Sequence, residues 1–68
     1  MTRAEFVEHA KPLPVQINGI TFTAAPKEFS TRSLGWNING KTELTVNGET
    51  VRVQIGLNLT IVGSKELA

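Results

Sequence analysis

The sequence predicts an all-β fold, in which a β-hairpin is followed by a three-stranded meander with a long last strand. Two observations support this prediction. Asn-Gly pairs, the strongest short-range signal for a two-residue hairpin turn, occupy positions 18–19 and 47–48. Apolar and polar residues alternate with the period of a strand on both sides of each pair. Turn chemistry and alternation therefore indicate the same structure at two independent places.

The turn at 47–48 sets the register of its hairpin. Counting outward from it places Leu44 opposite Val51 on an apolar face and Glu43 opposite Arg52 on a polar face. A slip of one residue would move every apolar side chain to the polar face, so the pairing is strongly specified.

The turn at 18–19 specifies a second hairpin by the same counting. Ile17 falls opposite Ile20 and Val15 opposite Phe22, so the apolar residues of both strands again share one face. This hairpin precedes the meander.

A third Asn-Gly pair, Asn39-Gly40, does not fit a two-residue turn, because that turn would mix apolar and polar residues on each face. A three-residue loop keeps the faces separate, with Gly40 in the left-handed position of a bulge. The predicted meander strands are therefore 33–38, 41–46 and 49–62.

The last predicted strand is unusually long. Its odd-numbered positions from 51 to 61 are all aliphatic, and Gly56 interrupts the other face, where a long strand can bend and change neighbours. Small barrels use such a strand to close. The sequence therefore predicts a small five-stranded antiparallel barrel of the SH3-like or OB-like kind, or a two-sheet sandwich.

The first dozen residues allow two interpretations. Thr2 and Glu5 have the capping-box spacing of a helix start, and Pro12 ends any helix at or before Lys11. A helix this short is marginal alone, so residues 1–12 form either a short helix packed on the domain or a flexible arm.

Length and composition limit the class of protein. The 68 residues predict a single domain, 1–68, with a core near the lower limit for independent folding. There is no cysteine, no apolar run of about 20 residues and no signal-peptide pattern, so we expect a cytoplasmic protein without a membrane partner. A net charge of +1 with scattered basic residues gives no strong phosphate-binding field.

Side chains for catalysis or metal binding are scarce. His9 is the single histidine, and the chain has neither aspartate nor cysteine. Glu5 and His9 would share a helical face, but a metal site needs at least one further ligand. We therefore expect a non-enzymatic protein without a metal or cofactor.

The 26–36 loop region is one candidate binding surface. Its residues could form a cationic and aromatic platform for weak binding of single-stranded nucleic acid, because bases stack on aromatic rings. The candidate residues are Lys27, Phe29, Arg32, Trp36 and Asn37. Alternatively, Phe29 plugs the end of a barrel and Trp36, which shares the parity of the apolar residues, belongs to the core.

The polar face of the meander is the other candidate. Arg52, Gln54, Asn58 and Thr60 form a surface with little charge, and an exposed strand offers unpaired backbone groups to another chain. The leading functional hypothesis is a protein-interaction or self-association module, with a homodimer formed through a strand edge.

Overall fold

The computed structural model describes residues 1–68 as one helix, four strands and a short 3-10 helix. The elements are α1 (Arg3–His9), β1 (Leu13–Ile17), β2 (Ile20–Glu28), β3 (Leu34–Val46), β4 (Glu49–Thr60) and the 3-10 helix Ser64–Glu66. The strands form one open antiparallel sheet in the order β1-β2-β3-β4. The all-β prediction is confirmed. The five-stranded SH3-like or OB-like barrel and the two-sheet sandwich are not supported, because the four strands form one open sheet.

Both two-residue turns form as predicted. The residues at 18–19 and 47–48 all have φ between 50° and 77°, the left-handed conformation that a type I′ turn requires. Every pairing counted outward from these turns is confirmed. Glu43 lies opposite Arg52 as expected, but their side chains do not form an ion pair.

The predicted turn at Asn39-Gly40 is wrong. Strand β3 runs through these residues without interruption, and Gly40 lies opposite Ile55 without a left-handed φ. The physical reason is visible in the alternation. The even-numbered residues from 34 to 46 all lie on one face of a continuous strand. A continuous strand therefore separates apolar from polar residues as well as a bulged turn would. The predicted meander is therefore a single hairpin of two long strands.

A bulged three-residue turn occurs instead at 30–32. The Phe29 N–H donates to the Ser33 carbonyl at 2.8 Å, the Arg32 N–H donates to the Phe29 carbonyl at 2.8 Å, and Arg32 has φ 72°. Much of the predicted 26–36 loop is thus strand. Pro26 does not interrupt the pairing of β2 with β3. Hydrogen-bonded positions alternate along this ladder, and the Pro26 nitrogen, which carries no N–H, points away from β3.

Strand β2 is the strand that changes neighbours. Residues 20–24 pair with β1 and residues 25–28 pair with β3, while β4 pairs with β3 along its whole length. The change of neighbours that the sequence predicted for the last strand is therefore found in β2.

The core is small and lies at the base of the long hairpin. Ala24, Ile38 and Ile55 form its buried cluster. Half-buried side chains surround this cluster: Leu13, Val15, Ile17, Phe22, Trp36 and Leu57. Phe6 from α1 is also buried, and its ring meets the Trp36 ring edge-on at 5.4 Å.

Helix α1 resolves the ambiguity at the start of the chain. The Thr2 N–H donates to Glu5 Oε1 at 2.9 Å and the Glu5 N–H donates to Thr2 Oγ1 at 3.2 Å, which confirms the capping box. Hydrogen bonds from the Thr2 N–H and the Thr2 hydroxyl to the Glu5 carboxylate, with the nearby N-terminal charge, lower the pKa of Glu5 below its ordinary value.

Two long-range contacts fasten the helix and the end of the chain to the sheet. The Ser64 hydroxyl, which is buried, accepts the Leu34 N–H at 2.8 Å and donates to the Leu34 carbonyl at 3.3 Å. The Arg3 guanidinium donates to Glu28 at 2.6 Å and to the Arg32 carbonyl at 3.0 Å. Both contacts lie at the end of the sheet opposite the 47–48 turn.

The molecule is elongated. Its extents are 50 × 20 × 15 Å and its radius of gyration is 15.0 Å, against about 11 Å for a compact chain of this length. The cause is the outer part of the β3–β4 hairpin, residues 41–54, which we call the distal arm. Because β2 pairs with β3 only at 34–37, neither edge of the distal arm has a neighbouring strand.

Candidate functional site

The structure separates the predicted nucleic-acid platform. Trp36 lies on the apolar face of the sheet, where its indole N–H donates to the Lys11 carbonyl at 2.8 Å. Lys27 and Asn37 lie on the opposite face, because their positions have the other parity in the register. The Trp36 ring is therefore not presented beside the two polar side chains.

The remaining platform residues form smaller contacts. Lys27 Nζ lies 5.8 Å from the centre of the Phe29 ring, and Arg32 is exposed in the three-residue turn. The Asn37 amide donates to Asn58 Oδ1 at 2.8 Å across β3 and β4.

The single histidine lies near one glutamate at the protein surface. His9 Nε2 lies 3.9 Å from Glu8 Oε2, and both side chains are exposed. No group of three or more histidine, cysteine, aspartate or glutamate side chains is placed to hold a metal ion. Neither helix combines the length and the hydrophobicity that a membrane-spanning helix requires.

The distal arm has one apolar face that the rest of the chain does not bury. On β3 this face carries Thr42, Leu44 and Val46, and on β4 it carries Val51 and Val53. None of these residues is buried, and Val46 is 60% exposed. An isolated two-stranded hairpin is marginally stable in water, so this arm is a segment that would gain from a partner.

The free edge of β4 has a defined set of unpaired backbone groups. In a hairpin with a two-residue turn, the residues next to the turn exchange hydrogen bonds, so the odd-numbered residues of β4 bond to β3. The bond from the Ile61 N–H to the Leu34 carbonyl, at 2.9 Å, continues this alternation. The N–H and C=O groups that point to the free edge therefore belong to Thr50, Arg52, Gln54, Gly56, Asn58 and Thr60.

The open edges of the sheet differ in whether they carry residues that hinder pairing with another chain. The β1 edge carries Pro14 at an outward-pointing position, and the open part of the β3 edge carries Lys41 and Glu43. Proline and charges are common means of blocking an edge. The β4 edge has no proline and no lysine, and Arg52 is the one charged residue among its outward-pointing positions. It is the longest edge without such protection, because the part of β2 that lacks β3 as a neighbour directs only Thr21 and Thr23 outward.

The number of backbone hydrogen bonds also indicates that strand edges are open. The chain makes 34 backbone–backbone hydrogen bonds, whereas a globular protein of this length makes about 45. No backbone hydrogen bond outside the ladders involves residues 49–60. The deficit is therefore consistent with open strand edges.

Sequence reasoning identified the polar residues of β4 but missed two features of this surface. Its barrel alternative would have removed the free edge on which its self-association hypothesis depends, and it did not identify that the apolar face around Leu44 and Val51 is left uncovered. The unbroken alternation from 34 to 46 could have predicted both features, because it implies a hairpin too long for the rest of the chain to cover.

Comparison of the chain with protein-family models, with curated protein sequences and with solved structures finds no match.

Proposed function

We propose that this protein is a non-enzymatic interaction module that binds another polypeptide by adding a strand to the free edge of β4. One observation carries the proposal: β4 is a twelve-residue edge strand without proline, lysine or a covering element, and its first half, residues 49–54, lies on an arm that projects from the core. In strand addition, backbone hydrogen bonds supply the affinity and the alternating side chains supply the specificity.

The energetics of the chain favour such a contact. Only 7 of 68 residues are buried, so the core contributes little beyond the entropy of ordering the chain. A partner that binds the folded arm stabilises it by mass action. The distal arm is the segment with the most to gain, since it has only two strands and a strand added to β4 would supply the third.

Site-specific photo-crosslinking tests the proposal. A photo-reactive amino acid at position 54 lies on the β4 edge, and the same amino acid at position 41 lies directly across the hairpin on the β3 edge. In cells that make the protein, we expect crosslinks to polypeptide from position 54 and few from position 41. Equal yields from both positions, or none from either, would reject strand addition at β4.

Binding of single-stranded nucleic acid is the competing hypothesis. The proximity of Lys27 to the Phe29 ring and the exposure of Arg32 are what favour it. Labelled oligonucleotides titrated at low and high salt decide between the two, because phosphate contacts weaken as salt rises. Salt-sensitive binding that is lost in Lys27→Ala would replace our proposal.

A further inference from the structure

We infer that the strand added to the β4 edge is β4 of a second copy of this chain, in an antiparallel two-fold dimer with one continuous eight-stranded sheet. This inference rests on the proposed function and names its partner. It is carried by the self-complementarity of β4, by the protection of the other edges and by the size of the contact.

The self-complementarity is specific to one register. The outward-pointing residues of β4 are distributed symmetrically about Ile55, so an antiparallel pairing centred on Ile55 matches all of them. On the polar face this register sets Thr50 opposite Thr60, Arg52 opposite Asn58 and Gln54 opposite Gly56 of the second copy. On the apolar face it sets Val51 opposite Leu59 and Val53 opposite Leu57, with Ile55 opposite its own equivalent.

The charges and side chains suit this pairing. Arg52 meets the neutral amide of Asn58 rather than another cation, and like charges directly opposite would be destabilising. Leu59, which is 39% exposed, gains Val51 of the second copy as a neighbour. Aliphatic pairs and a threonine pair are the kinds of cross-strand contact that stabilise sheets.

The arrangement also closes on itself. Each copy uses the same edge, so the pairing consumes that edge and leaves the edges blocked by Pro14, Lys41 and Glu43 outside. A two-fold contact of this kind produces a dimer rather than a filament.

The contact area predicts a reversible dimer. Eleven paired residues at about 3.3 Å each make an edge about 36 Å long, and a sheet with its side chains is about 10 Å thick. Two such edges bury on the order of 700–1,000 Å² in total, below the range of about 1,200–2,000 Å² for stable specific interfaces. The dimer therefore forms at high protein concentration and dissociates on dilution.

Sedimentation of the purified chain over about a thousandfold concentration range tests the inference. We expect a monomer–dimer equilibrium for the natural sequence. Gln54→Pro should weaken the dimer at least tenfold, because it removes an N–H that points to the β4 edge. Lys41→Pro, on the same rung but on the β3 edge, should leave the dimer unchanged.

A second pair of variants tests the register without a proline. Asn58→Asp keeps the oxygen that accepts from Asn37 and places a carboxylate opposite Arg52 at two symmetric positions. We expect it to tighten the dimer two- to tenfold at low salt and to lose this gain at high salt. Asn37→Asp, on β3 and away from the interface, should have no such effect.

The outcomes separate this inference from the proposed function. A strict monomer that still crosslinks to another protein from position 54 overturns the second copy as partner and leaves strand addition standing. A strict monomer without any such crosslink removes both. A dimer that resists Gln54→Pro but is lost in Leu44→Lys would be formed by the apolar faces, which also overturns the inference.

Discussion

Gly35→Ala is expected to be severely destabilising, because the backbone of β4 occupies the space that a side chain at residue 35 needs. A Cβ there would overlap the Leu59 carbonyl oxygen and would lie 2.9 Å from the Leu59 carbonyl carbon. The obstacle is backbone, so β3 and β4 must separate at this rung. That separation would strain the neighbouring bond from the Ile61 N–H to the Leu34 carbonyl.

The size of the loss follows from these contacts. Overpacking a tight site costs about 1–3 kcal/mol, and each weakened hydrogen bond adds about 1 kcal/mol. We therefore expect Gly35→Ala to lower the free energy of unfolding by about 3 kcal/mol or more. In a domain of this length that corresponds to a fall in Tm of about 12 °C or more, and it is a large share of a total of about 3–10 kcal/mol.

Two glycines of the same hairpin provide matched controls. At Gly40 and at Gly56 an added Cβ meets nothing within 4 Å, and neither residue has a left-handed φ. Alanine at either position should therefore be neutral or stabilising by about 0.5–1 kcal/mol, as expected for glycine in the interior of a strand.

Urea unfolding followed by Trp36 fluorescence and circular dichroism, at low protein concentration, measures all three variants. Tolerance of Gly35→Ala would refute the close approach of β3 and β4. A loss above about 1 kcal/mol in Gly40→Ala would instead indicate a left-handed residue, and so would restore a turn at Asn39-Gly40.

Three further predictions concern the ends of the sheet. Ser64→Ala should cost about 1–3 kcal/mol in urea unfolding, because it removes the acceptor of the buried Leu34 N–H. Arg32→Gly should stabilise the fold by up to about 1 kcal/mol, because glycine adopts φ 72° without the strain of a side chain. By NMR titration, the pKa of Glu5 should lie below its ordinary value, because the Thr2 N–H and hydroxyl favour the carboxylate. Because the folded pKa is lowered, this support of α1 is present at neutral pH and is lost as the pH falls through that pKa.

Each of these predictions has a control and a contradicting result. Ser30→Ala, in the exposed turn, should change the free energy of unfolding little. An equal loss of stability in Ser64→Ala and Ser30→Ala would show that the buried Ser64 hydroxyl does not stabilise the fold. A destabilised Arg32→Gly would mean that the left-handed turn is wrong. Glu5→Gln should remove the loss of α1 stabilisation that occurs at low pH. If that loss persists in the variant, it is caused by the titration of another group.

The parts of the fold that local chemistry determines could be predicted from the sequence. The turns at 18–19 and 47–48 specify both their conformation and their register, because Asn-Gly supplies two left-handed residues and a slip would reverse the faces. The capping box of α1 is also local, since Thr2 and Glu5 are three residues apart.

The errors arose where a strong local signal competed with a weaker one. At Asn39-Gly40 the turn preference of the dipeptide outweighed an alternation that was unbroken from 34 to 46. The turn at 30–32 contains no glycine that would mark it in the sequence. Arg32 occupies the left-handed position where glycine is usual. Pro26 lies within β2 although proline is uncommon in strands, because its position on the strand determines whether a ladder bond is lost.

Other features were beyond local reasoning. The contacts of Ser64 with Leu34 and of Arg3 with Glu28 join residues 30 and 25 positions apart, and no short-range pattern specifies them. The candidate surface was predicted in part, because the polar residues of β4 were identified from alternation. Their position on an uncovered edge depends on the sheet remaining open, which is a property of the whole chain.

Amide hydrogen exchange along β4 tests the central claim most directly. In dilute protein we predict slow exchange at the odd-numbered residues 51–57, whose N–H groups bond to β3, and fast exchange at Arg52, Gln54 and Asn58, which face the free edge. On concentration, the fast set should become protected while the slow set changes little. Uniform exchange along the strand would contradict the free β4 edge, and fast amides that stay unprotected at every concentration would contradict its pairing with a second copy.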